Sequence, residues 1–199
     1  MSSRAPLAVY TIQVGEQIRA TMPANSYFEG VRAKAIREIE DRHGIKVIVA
    51  DVPAPFTGDL DGVSIVIDYA LPPDESLFIT VHLFGHSVQW NTDAAAREIG
   101  LATVNVGHVG EGEMEKLAAY ERTAARYSIQ LLHDIGETSL DAWLSEFAAA
   151  DTAYLMHYYQ TGEKLPVRGF WQAGTPILEP LAIPSFETRK WTSRSGVVL

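Results

Sequence analysis

The chain contains no cysteine. That excludes a disulfide framework and any thiolate metal site, so a bound metal would have to be held by His, Asp or Glu. Positive charge is also short: 16 Lys and Arg face 25 Asp and Glu, for a net charge of −9. A field of that sign repels phosphate and argues against a general nucleic-acid or anionic-membrane binder, although a small basic patch would escape the objection. No apolar run approaches the length of a membrane span. The first ten residues lack the apolar stretch of a signal peptide, so a soluble cytoplasmic protein is expected. No internal repeat, low-complexity tract or helix-turn-helix is visible, which ranks direct DNA binding last.

The 199 residues, 47% hydrophobic and 21% charged, are enough for one domain with a sizeable core. Leu77 to Trp90 is apolar nearly all the way round when read as a helix, which places it inside the protein. Pro72 and Pro73 with Asp74 and Glu75 open it, with acidic residues at its positive end. His82 and His86 interrupt it four residues apart, so both rings leave one face a turn apart. Such a pair is half of a zinc site if a third ligand arrives from elsewhere; otherwise the two are core histidines held by hydrogen bonds.

Before this helix, Ser26-Tyr27-Phe28-Glu29 has capping-box spacing, and Phe28, Val31, Ala35, Ile36 and Ile39 form a stripe that ends at Gly44. Ile45–Asp51 and Gly62–Tyr69 read as strands, with a proline-bearing loop between them. Ala8–Gln13 and Leu101–Val106 could be further short strands, and Asn91–Gly100 an exit loop or short helix. From Glu113 to His133 the pattern is helical, with Met114, Leu117, Ala118, Ala124, Ala125, Ser128, Leu131 and Leu132 on one face. Glu121 sits in the middle of that face, where a carboxylate is costly unless a partner neutralises it. Ser139 can cap a further helix with Leu140, Trp143, Leu144, Phe147, Tyr154, Leu155 and Tyr158 inward and Asp151 among them. Prolines 166, 176, 180 and 184 exclude a long helix after that. The reading is an α+β chain, mainly helical with two or three short strands: a domain over 1–164 and an extended, proline-rich segment over 165–199 packed on it, ending in a mobile Ser193–Gly196.

A histidine pair at ligand spacing and a lone buried glutamate are each expensive, and one divalent cation would satisfy both. His82, His86 and Glu121 are therefore the candidate metal ligands, leaving a fourth position for water.

In these residues the sequence resembles the ImmA/IrrE family of metallopeptidase-like proteins. Phe78-Ile79-Thr80-Val81-His82-Leu83-Phe84-Gly85-His86 follows the family's F-T-x-A-H-E-x-G-H helix. Glu121, Ala124, Tyr127, Ser128, Leu131 and Leu132 match E-x-x-A-x-x-F-A-x-x-L-L at the same spacing. The resemblance covers roughly residues 25–135. It implies a zincin-like fold, Zn²⁺ on His82, His86 and Glu121, and a protein or peptide partner such as a helix-turn-helix regulator. The departure is Leu83, where the family has the glutamate that serves as general base; losing a base commonly costs about 10²–10⁴ in rate. A second departure is His133-Asp134, where the family often has Met-Pro.

Asp151 is a candidate for a displaced base, although capping a buried donor or orienting a ligand histidine is the favoured role. Glu111, Glu113 and Glu115 read as solvated, His108, His133 and His157 as ordinary polar residues, and Tyr154, Tyr158 and Tyr159 as core and rim. Three functions follow: a zinc-binding ImmA/IrrE-like protein of weak or absent peptidase activity that works through a partner, an active zinc hydrolase with a displaced base, or a metal-free interaction module.

Overall fold

A computed structural model describes residues 24–53, 56–102 and 106–191, together with the backbone of 197–198. The expected strand at Ala8–Gln13 and the mobile Ser193–Gly196 lie outside these residues, as does the middle of the expected strand at Leu101–Val106. The architecture is α+β. Helix α1 (Asn25–His43) leads to strands β1 (Lys46–Ala50), β2 (Phe56–Leu60) and β3 (Ser64–Asp68). Helices α2 (Pro73–Thr92), α3 (Ala94–Leu101), α4 (Glu111–Asp134) and α5 (Asp141–Thr161) follow, and a two-residue strand, β4 (Val197–Val198), closes the order.

The sheet runs β1-β3-β2-β4, with β1 parallel to β3, and β2 antiparallel to both β3 and β4. β2 corrects the loop expected between the first two strands. Prolines ahead of it and Gly58 within it hide the strand, yet Gly58 is required there. A Cβ at that position would press on the β3 backbone at Val66 and on Leu83 of α2, the close approach that a glycine inside a strand signals.

α2 is the axis of the domain. Every residue from Ser76 to Trp90 is buried, so the helix touches protein on all sides. Its apolar residues join α1, the sheet, α4 and α5 in one core. Pro73 occupies the first turn, where its missing N–H costs no helical hydrogen bond. Among the described residues no helix is long and apolar enough to cross a membrane.

Three local expectations need correction. α1 begins at Asn25, so Ser26 lies inside the first turn and no side chain caps the helix; the Tyr27 N–H donates to Ala24 O instead. Ser139 lies in a 3₁₀ turn (Thr138–Leu140) and does not cap α5. Residues 94–101 are helical because the Asp93 carboxylate accepts from the N–H groups of Ala95 and Ala96, so no strand begins at Leu101.

Beyond Gly162 the chain makes one 3₁₀ turn (Val167–Phe170) and then runs without regular structure to Trp191. Side chains and single backbone bonds hold it. Arg168 pairs with Asp74 and Glu75 at the start of α2. The Trp171 indole and the Gly174 N–H donate to Glu146, and the Leu178 N–H donates to Ser145 Oγ. Leu181 N–H donates to Arg126 O, and Arg97 lies 3.9 Å over the Trp191 ring. Trp171, Leu178, Ile183, Phe186 and Trp191 pack on the core, whereas Ile177 stays 57% exposed.

Candidate metal centre

The site is built where α2 and α4 touch. A Cβ on Gly85 would collide with the backbone carbonyl of Ala124, so glycine at 85 lets the two helices close to backbone contact. Ser128 Oγ donates to Val81 O at 2.8 Å and ties the same seam one turn away. This approach brings residues 39 positions apart in the chain within hydrogen-bond reach.

His82 Nε2 and His86 Nε2 lie 3.0 Å apart, and each is 3.0–3.1 Å from the same oxygen, Oε2 of Glu121. All three side chains are buried. Among the described residues they form a group of ligand atoms able to hold a metal ion. In a tetrahedral zinc site with bonds of about 2.1 Å, ligand atoms stand about 3.4 Å apart. The triangle is therefore slightly tighter than a loaded site and centred on one point.

The hydrogen bonds around the triangle fix how it is used. Gln89 Nε2 donates to Tyr120 O at 3.0 Å, which leaves Gln89 Oε1 to face His86 Nδ1 at 2.9 Å. An amide oxygen only accepts, so Nδ1 of His86 carries the proton and Nε2 turns a lone pair inward. That lone pair meets the Glu121 carboxylate, acceptor against acceptor, unless a proton or a metal cation lies between them. His82 has no such orienting bond: its Nδ1 is buried without a hydrogen-bond partner. Ring packing holds it, with Phe78 stacked at 5.1 Å, while Tyr120 stacks on His86 at 4.4 Å. Gln89 and Tyr120 were not singled out from sequence. Gln89 lies three residues after His86 and shares its face, a signal that was legible; Tyr120 depends on the meeting with α4.

Electrostatics point the same way. Burial pushes the Glu121 carboxyl up, but with a proton shared across the triangle the charge of His86 and the hydrogen bonds from the imidazoles outweigh it and hold Glu121 well below the ordinary carboxylate range. Burial, with the neighbouring His86, pushes His82 down. Asp151 goes the other way: burial first, then the negative Glu121, push its carboxyl well above the usual range. It is only 2% exposed, its Oδ1 has no hydrogen-bond partner, and its Oδ2 lies 3.9 Å from His82 Nε2. At that distance it does not hydrogen-bond the histidine it was expected to orient.

The other candidates lie apart. Leu83 is fully buried, and its Cδ1 packs toward Gly58 of the sheet. Glu111, Glu113 and Glu115 are exposed, and Glu113 accepts from the Gly110 N–H at the start of α4. His108 is exposed, His133 pairs with Asp141 at 2.8 Å, and His157 lies 3.6 Å from Glu163. Tyr154 is core, whereas Tyr158 and Tyr159 are half-buried. A surface cavity of about 450 Å³ opens elsewhere, lined by Arg42, His43, Gln130, Asp134 and residues 182–186.

Comparison of the chain with family models, curated proteins and solved structures returns no match. The reading of the site rests on its own geometry.

Proposed function

We propose that the chain is a zinc-binding protein of ImmA/IrrE type with a zincin-like fold, weak or inactive as a peptidase, acting through a protein or peptide partner such as a helix-turn-helix regulator. One observation carries the metal: two imidazole nitrogens and a carboxylate oxygen converge, buried, within 3.1 Å of one another. The donor set suits a borderline divalent ion, and zinc bound there would polarise a carbonyl and acidify water. His82, His86 and Glu121 would hold the ion, and Gln89 keeps the His86 lone pair aimed at it. The lack of a base at position 83 supports low activity. Leucine takes no proton, and its side chain is committed to the sheet.

Metal analysis of protein purified without added metal or a histidine tag tests the reading. One zinc per chain is expected, lost in Glu121→Ala. Stripping it with a chelator should lower Tm by on the order of 10 °C, since free metal at about 1,000 times Kd adds about 4 kcal/mol. Protein without metal whose melting ignores the chelator would refute it. A displaced-base hydrolase is the second reading, favoured by Asp151 at 3.9 Å from His82. Zinc-loaded wild type that cleaves a peptide library, with cleavage lost in His82→Ala, would establish it. On the main reading wild type shows little or no cleavage, and Leu83→Glu regains at most weak cleavage while losing stability to a buried carboxylate.

A further inference from the structure

Asp151 is the one carboxylate at the centre that the triangle leaves unexplained. It comes from α5, a different helix from either ligand-bearing element, and reaches the His82 side of the site. Its surroundings are the apolar neighbours Phe147, Ala150 and Tyr154, all buried on the same helix. One of its oxygens has no hydrogen-bond partner, and the other lies 3.9 Å from His82 Nε2. No Lys or Arg pairs with it among the described residues, and the neighbouring acid is Glu121, of like charge. A buried carboxylate so placed is costly as an anion unless it takes up a proton or a cation lies beside it.

We propose that Asp151 is the fourth protein ligand of the centre, so that His82, His86, Glu121 and Asp151 enclose a divalent cation and leave it no position for water or substrate. The inference rests on the metal-binding part of the reading above and replaces its open fourth position, so that Leu83→Glu should regain no cleavage. Charge supports it. Two neutral imidazoles and one carboxylate leave a divalent ion with one unbalanced positive charge in a buried site, and the second carboxylate brings the sum to zero. Reach supports it too. Neighbouring ligand atoms in a four-coordinate site stand about 3.4 Å apart; Oδ2 is already 3.9 Å from His82 Nε2, and the side chain must swing toward His86 and Glu121, with which it does not yet group, to close the shell. Enclosure also gives position 83 a meaning. A centre with four protein ligands holds no reactive water, so a base beside it has nothing to activate, and leucine there costs the protein nothing. The ion then has the role of a structural clasp joining α2, α4 and α5.

The test uses the full chain loaded with Co²⁺, whose visible absorption reports coordination, titrated with azide and separately with acetohydroxamate. The wild-type spectrum should stay unmoved by either. Asp151→Ala should shift on addition of both and should lose Co²⁺ to a competing chelator at least about tenfold more easily. Asp151→Asn, which keeps the side-chain volume, covers the case in which the alanine variant does not fold. A wild-type spectrum that shifts with azide overturns the proposal without touching the metal reading, because it shows a metal with an open position. Wild type with no Co²⁺ spectrum, like His82→Ala, overturns both.

Discussion

Two regions hold histidines pressed against aromatic rings, and only one of them gathers other ligand atoms. At the α2–α4 seam, His82 and His86 stack on Phe78 and Tyr120. At the end of α1, His43 lies between Phe84, at 4.8 Å, and Phe186 of the C-terminal segment, at 5.8 Å. Burial pushes His43 down, with Arg42 beside it adding to the effect, and its buried Nε2 has no hydrogen-bond partner. Burial and ring packing are thus common to both places. What separates them is convergence: at the seam three ligand atoms meet at a point, and at His43 none do. A buried histidine is therefore a packing unit by default and becomes a ligand only where a second helix delivers a carboxylate to the same spot.

Gly85→Ala would break this contrast most severely. On an isolated helix the change stabilises by about 1 kcal/mol, but here the new methyl meets the Ala124 carbonyl, which is backbone and cannot swing aside. The clash should win, costing about 3 kcal/mol and lowering Tm by roughly 6–12 °C. Metal should be lost as well, since the seam must widen. Thermal melts with metal analysis decide it, and an unchanged Tm with full metal content would show that the seam is not set by Gly85.

Gln89→Leu is a milder cut. It removes the acceptor at His86 Nδ1 and the donor to Tyr120 O while keeping the side-chain bulk. Metal affinity should fall about 10- to 100-fold with the fold intact, as read by chelator competition and circular dichroism.

His43→Leu is the smallest test and sharpens the other side of the contrast. The folded state resists protonating His43 while the unfolded chain takes the proton below about pH 6.5. Stability should therefore fall as pH drops below that value, and the fall is complete once pH passes the depressed folded value. Glu38 and Asp134 oppose the shift and Arg42 adds to it, so the effect is modest. Urea midpoints at pH 7.5 and 5.5, with chelator present to keep the metal centre out of the comparison, should show wild type losing more than His43→Leu.

What was legible in the sequence follows the same division. Helices α1, α2, α4 and α5 announced themselves through apolar periodicity, and the His82–His86–Glu121 group through the cost of placing charge on a buried stripe. β2 did not, because Gly58 and the preceding prolines are loop signals until the close approach of β3 and α2 is known. The caps misled because Ser26 and Ser139 have the right chemistry one or two positions away from the capping residues, Ala24 and Leu140. Gln89 was half legible: its place one turn after His86 is in the sequence, but the carbonyl that orients its amide lies 31 residues away.

The enclosure of α2 on every side has a dynamic consequence. Its backbone amides, from about Thr80 to Trp90, are reached by solvent only when the whole domain opens, so their hydrogen exchange should be the slowest in the molecule. Those amides flank both histidines. Any ion that binds only the closed form slows them by the factor one plus its free concentration over Kd. The helix that carries the ligands would thereby serve as a built-in gauge of how tightly they hold their ion.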